Sequence, residues 1–182
     1  GTSAASDGEK RQEAAPRQSE DGLRLHACLY TPNDAPPSPL WAIVCHGYGG
    51  DAPSMLDQAR ALSNMGFNVL LPDARSHGKS AGKFIDMGWP ERRDITGWAR
   101  FVCTRQPEAR ILLYGISMGA ATVMMTAGEA DLPTNVKAVV EDCGYSAVWD
   151  EFAYQLKAVF RLPPFPVLYA ASLITRLRQG WG

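Results

Sequence analysis

Five residues, Gly115-Ile116-Ser117-Met118-Gly119, have the types and spacing of a nucleophile in a tight turn. An apolar run, Ile111-Leu112-Leu113-Tyr114, leads in. A small-residue run, Ala120-Ala121-Thr122-Val123-Met124-Met125, leads out. Strand, sharp turn, helix is the context in which a G-x-S-x-G motif exposes its serine on a strained backbone. Gly115 and Gly119 supply room that side chains would fill. The hydroxyl then lies at the positive end of the next helix, whose first N–H groups have no internal partner. A serine so placed suits attack on a carbonyl carbon, which generates an oxyanion. The bland alternative is a Gly-rich turn with an incidental serine.

Other residue types with chemical reach are sparse. There are three histidines, His26, His46 and His77, all before Ser117. His26 falls on the outward phase of an alternating segment and reads as a surface histidine. The four cysteines, Cys28, Cys45, Cys103 and Cys143, are widely spaced, and no pair has metal-ligand spacing. They read as buried free thiols, three in strands and one in a helix, which mildly favours a reducing, cytoplasmic compartment. No metal and no organic cofactor is expected.

The elements that must position Ser117 follow from hydrophobic periodicity. Residues 23–30 alternate, as a half-buried antiparallel strand does. Runs at 41–46, 67–72, 110–115 and 136–141 are apolar almost throughout, as strands of a parallel sheet buried on both faces are. Helical spacing occupies 53–65, 90–105 and 118–128 between them. This βαβα rhythm predicts an α/β fold, a mostly parallel sheet with helices on both faces, 110–115 central and 23–30 antiparallel to its neighbour. Residues 1–20 read as a flexible lead-in, 21–145 as the α/β core and 146–182 as a helical, cap-like segment. In the last, Trp149, Phe152, Leu156, Val159 and Phe160 share one helical spacing and Val167, Leu168, Leu173, Ile174 and Leu177 another. Residues 33–39 form a Pro-rich connection.

Composition sets the outer limits. The chain has 182 residues, 46% hydrophobic and 20% charged, enough for one domain with a real core. A net charge of −1 gives no electrostatic case for nucleic acid or an anionic membrane. No apolar run is long enough to span a bilayer. The first residue is Gly1 rather than Met, which leaves room for a removed leader or membrane anchor.

Three motifs in order resemble the α/β-hydrolase-fold serine hydrolases, more narrowly the small esterases and the serine-aminopeptidase- or prolyl-oligopeptidase-like branch. They are His46-Gly47-Tyr48-Gly49-Gly50, Leu71-Pro72-Asp73-Ala74-Arg75-Ser76-His77-Gly78-Lys79-Ser80, and Gly115-Ile116-Ser117-Met118-Gly119-Ala120-Ala121. The resemblance spans roughly residues 21–182. It implies Ser117 as nucleophile and the N–H of Met118, the residue after it, as one oxyanion donor. It implies the N–H of Tyr48 as the second donor, His46 as a structural residue holding that loop, and Asp73, Arg75 and His77 as a loop-stabilising run.

The sequence also departs from the family. The triad order is Ser, acid, His, and no histidine follows Ser117. The expectation is an N-terminal portion, with the acid and histidine in a missing C-terminal part. The candidate acids left after Ser117 are Asp142 and Glu141, at the end of the strand after the nucleophile helix, with Asp142 the candidate and a structural hydrogen-bonding role its alternative; Asp150 reads as a solvated helix-start charge. The leading function is hydrolysis of an ester, thioester or peptide bond through an acyl-enzyme. The competing reading is a non-catalytic module binding a small ligand or protein partner. A redox or metal protein finds no support in the cysteine spacing. The strand at 136–141 would be an open edge, inviting self-association or pairing with a C-terminal fragment.

Overall fold

The apolar runs of the sequence assemble into one sheet. The computed structural model describes residues 11–31, 38–158, 161 and 163–179. The chain divides into two compact units, residues 1–144 and 145–182. In the first, the strands are β1 (Arg11–Gln18), β2 (Arg24–Thr31), β3 (Leu40–Cys45), β4 (Asn68–Pro72), β5 (Arg110–Ile116) and β6 (Val136–Asp142). Their order across the sheet is β1-β2-β4-β3-β5-β6. The pairs β4–β3, β3–β5 and β5–β6 are parallel. β1–β2 and β2–β4 are antiparallel. This is the α/β-hydrolase type of sheet that the sequence predicted. β5, the strand leading to Ser117, is interior.

Successive side chains of a strand point to opposite faces, so the continuous runs need cover on both. On one face Trp41, Ile43 and Cys45 of β3 join the core formed with Ile95, Trp98 and Val102 of α2 (Glu91–Arg105) and Val123 of α3 (Met118–Ala127). On the other, Ala42 and Val44 pack with Met55, from a 3₁₀ turn at Ala52–Met55, and Ala59 of α1 (Leu56–Asn64). Asp51 caps that turn by accepting the Ser54 N–H at 3.0 Å.

Two expectations change. Residues 11–18, read as part of a flexible lead-in, form β1, paired residue for residue with β2 from Gln18↔Arg24 to Arg11↔Thr31. The neighbouring strand supplies the backbone partners, so an edge strand needs little apolar pattern of its own. Ala15 is its buried contact, and Pro16 is tolerated because the strand is an edge. Arg17 lies over the Trp98 ring, 5.4 Å from its centroid, and burial pushes its guanidinium pKa down. Residues 1–10, and 33–37 of the Pro-rich connection, lie outside the described residues. The thiols are not uniformly buried: Cys45 is, with its pKa pushed up to about 12 by desolvation. Cys143 is exposed, one residue past β6, and donates to Asp142 Oδ1 at 3.2 Å.

At the other edge, among the described residues, β6 pairs only with β5. Val139 and Val140, which point to opposite faces, are 36% and 43% exposed. The second unit contains α4 (Val148–Ala158) and α5 (Pro164–Gln179), with Phe165 extended near the start of α5. Trp149 meets Tyr169 edge to face, with ring centroids 5.0 Å apart. Val159 and Phe160 lie outside the described residues, as do the side chains of Val167 and Leu177. No described helix is long and apolar enough to cross a membrane.

Candidate active site

Ser117 sits between the end of β5 and the start of α3 with φ 54 and ψ −115. A non-glycine residue rarely adopts such a backbone. The glycines around it are obligatory for a different reason, close approach. A Cβ on Gly115 would lie 2.2 Å from the Gly119 carbonyl oxygen, and one on Gly119 would lie 2.2 Å from that of Cys45. The start of α3 is therefore pressed against the end of β3. The Ser117 N–H donates to the Asp142 carbonyl at 2.8 Å, tying the turn to β6. Its hydroxyl makes no hydrogen bond to a described residue and does not cap α3.

The loop after β3 lies against this serine. A Cβ on Gly47 would be 3.4 Å from Ser117 Cβ and 3.9 Å from its Oγ. Past Tyr48, the backbone amides of the loop are claimed in turn. Gly49 N–H donates to His77 Nε2 at 3.1 Å, and Gly50 N–H to the Gly47 carbonyl at 3.1 Å. Asp51 N–H donates to Ser54 Oγ at 3.2 Å, and Ala52 N–H to Asp73 Oδ1 at 2.7 Å. The N–H groups of Tyr48 and Met118 have no partner among the described residues. Met118 is buried; the Tyr48 side chain is exposed.

The histidines hold backbone. His46 Nε2 accepts the Ala74 N–H at 3.0 Å, so the proton is on Nδ1, which donates to the Gly47 carbonyl at 2.7 Å. Burial pushes the His46 pKa down, against the Gly47 bond, which raises it. His77 is the same in kind: Nε2 accepts from Gly49, so Nδ1–H donates to the Arg75 carbonyl at 3.0 Å.

His26 is not the surface histidine its strand phase suggests. Its Nδ1 is 3.0 Å from Asp73 Oδ2, and its side chain is only 13% exposed. The outward face of β2 is covered there by the segment after β4, where Ser80 Oγ accepts the His26 N–H at 2.9 Å and Ala81 N–H donates to the Arg24 carbonyl at 2.8 Å. Asp73 also accepts the Lys79 N–H at 3.0 Å, so one buried carboxylate joins three segments. Arg75 pairs bidentately with Asp94 of α2, at 2.8 Å from both Nε and Nη2, and with Asp21 at 3.0 Å. Burial works against that guanidinium, but the two carboxylates hold its pKa above the ordinary value. Asp94 and Asp21 had no local signal, since they lie 19 and 54 residues from Arg75.

Asp142, the candidate acid, lies at the exposed end of β6. Its carboxylate neighbours Cys143 and Tyr114, whose hydroxyl pKa is raised by burial and then by that charge. It has no described histidine partner. Glu141 Oε2 accepts the Gly144 N–H at 3.0 Å, and Asp150 is exposed in the first turn of α4. No group of three or more His, Cys, Asp or Glu among the described residues could hold a metal ion.

The sheet and the strand–serine–helix turn define an α/β hydrolase. Comparison with known proteins narrows this: the family described as serine aminopeptidase, S33, matches residues 40–172, and the chain belongs to that family. It is 30% identical over 161 residues to the uncharacterized protein YqkD of Bacillus subtilis, covering 88% of this chain and 52% of that one. Among solved structures it resembles the esterase Pf2001 of Pyrococcus furiosus, with a TM-score of 0.74 and 26% identity, over 88% of this chain and 62% of the esterase. It also resembles XC6422 of Xanthomonas campestris, an α/β serine hydrolase without a lid, with a TM-score of 0.58 and 31% identity, over 64% of this chain and 56% of that one. The chain thus spans about half to three-fifths of the length of these relatives.

Proposed function

We propose that Ser117 is the nucleophile of a hydrolase that cleaves an ester, thioester or peptide bond through an acyl-enzyme. The observation that carries this is the serine itself, held at φ 54 beside Gly47 with a hydroxyl that bonds no described residue. Strain of this kind persists only where surrounding structure imposes it, and it gathers at functional sites. In the reaction, Ser117 Oγ attacks the carbonyl carbon and its proton passes to a base. The resulting oxyanion lies between the N–H groups of Tyr48 and Met118. Collapse expels an alcohol, thiol or amine, which takes up the proton, and water then releases the acid and regenerates the serine. The likeness to an esterase supports the ester as substrate class. No metal or organic cofactor enters the scheme.

The base and its orienting acid belong, in this reading, to sequence beyond these 182 residues, since His46 and His77 have both ring nitrogens bonded to backbone and His26 turns to Asp73 on β2, with none of the three rings bonded to Ser117. That same engagement favours a second reading, a hydrolase-like module that binds a small ligand or a protein without turnover. Fluorophosphonate labelling separates the two. Labelling of the protein at its natural length, lost in Ser117→Ala, is expected of the hydrolase. An unlabelled protein of that length leaves the binding module.

A further inference from the structure

We propose that His77 is a positioning residue for the Tyr48 oxyanion donor, a role that rests on the reading of Ser117 as nucleophile. Residues 47–50 form a β-turn closed by the Gly50 N–H to Gly47 carbonyl bond at 3.1 Å. Tyr48 and Gly49 are its central residues, and Gly49 has φ 72, the value a type II turn requires at its third position. Type I and type II turns differ chiefly by a flip of the peptide plane between the central residues. Here that plane carries the Gly49 N–H, and His77 Nε2 accepts it at 3.1 Å. The acceptor therefore selects one orientation of the Tyr48–Gly49 peptide, which restrains ψ of Tyr48 and so the adjoining Gly47–Tyr48 peptide that carries the Tyr48 N–H, where Gly47 meets Ser117.

His77 is itself held. Its Nδ1–H donates to the Arg75 carbonyl at 3.0 Å, and Arg75 is anchored by Asp94 on α2. The imidazole is 7% exposed, with the His46 ring centroid 5.0 Å away and the Tyr48 ring edge-on at 6.2 Å. The loops after β3 and β4 are also joined by Ala52 N–H on Asp73 and Ala74 N–H on His46, but it is the His77 ring nitrogen that holds the Tyr48–Gly49 peptide.

The test uses His77→Leu, which removes the acceptor, and His77→Gln, whose side-chain oxygen can replace it. The readout is the second-order rate of phosphonylation of Ser117 by a fluorophosphonate in the protein at its natural length. His77→Leu should slow it by about tenfold or more, within the loss that follows outright removal of a hole donor. His77→Gln should restore most of that rate. An unchanged rate in His77→Leu overturns the proposal, as does equal damage from both substitutions. Imidazole ¹⁵N shifts of the wild-type protein give a check independent of variant folding: a bare Nε2 and a protonated Nδ1 are expected, and a protonated Nε2 overturns the proposal. A wild-type Ser117 that never reacts while the Gly49 amide stays protected from exchange overturns the nucleophile reading, leaving His77 a turn clamp with no catalytic consequence.

Discussion

Replacing Ser117 with glycine should stabilise the fold while removing the proposed nucleophile. The serine holds φ 54 and ψ −115, and it makes no side-chain cap to α3. A side chain in so sparsely populated a region costs about 1–3 kcal/mol. Glycine adopts it freely but loses more backbone entropy on folding, about 0.5–1 kcal/mol relative to alanine. The difference leaves glycine ahead by about 1 kcal/mol. Alanine keeps the strain, and the lost hydroxyl had no described partner, so Ser117→Ala should match the wild type. For a chain of this size, about 1 kcal/mol moves Tm by ~2–4 °C. The assay is a set of reversible thermal melts at neutral pH on the wild type, Ser117→Ala and Ser117→Gly, with Gly119→Ala as a control. The control should melt far lower, because its Cβ would lie 2.2 Å from the Cys45 carbonyl oxygen. A Ser117→Gly protein no more stable than Ser117→Ala would refute the reasoning, since the turn would then carry no strain.

Two further outcomes follow from the geometry. His46 has its pKa lowered in the folded state from 6.5 by burial, so the unfolded chain binds the proton more readily. Its contribution is complete above that value and lost as pH falls toward the folded pKa, with a slope of at most about 1.4 kcal/mol per pH unit; denaturant melts from pH 7 to 5 should show this slope reduced in His46→Gln, and equal slopes would contradict it. The exposed β6 edge, with its outward Val139 and Val140, should let this chain self-associate at high micromolar concentration; sedimentation should show mass rising with concentration, reversed by Val139→Lys, and a monomer throughout would refute the pairing.

The parts of this structure legible in the sequence are those set by short-range sterics. Continuous apolar runs marked β3, β4 and β5 to within a residue or so, because a strand buried on both faces has no polar phase. The turn at Ser117 was legible because the two flanking glycines answer to backbone contacts at fixed spacing. What escaped depends on segments distant in sequence. β1 has Ala and Pro where a strand would usually show a pattern, and it exists because β2 is beside it. His26 has the phase of a solvent-facing residue and loses solvent only because the segment carrying Ser80 folds over it, 54 residues later. Likewise, Arg75 was visible as a loop residue, but its anchor required knowing that Asp94 on α2, 19 residues later, comes within bonding distance.

The histidine tautomers bear directly on the chemistry. A general base for Ser117 must offer an unshared nitrogen lone pair to the hydroxyl. On His46 and His77 the only lone pair is on Nε2, and backbone amides already occupy it, at 3.0 Å from Ala74 and 3.1 Å from Gly49. Using either ring as the base would break that bond and free the other to rotate, at about 0.5–1.5 kcal/mol for each hydrogen bond lost. It would also release the very loop whose Tyr48 amide is proposed to receive the oxyanion. His26 turns its Nδ1 to Asp73, whose carboxylate in turn holds Ala52 on the same loop; its Nε2 lone pair is left over, but the ring lies on β2 beneath the segment carrying Ser80 and makes no bond to Ser117. His46 and His77, which shape the donor side, therefore cannot serve as the base without dismantling it. In the proposed hydrolase the base would be a further histidine, and the Ser117 hydroxyl, which bonds no described residue, is what such a residue would meet.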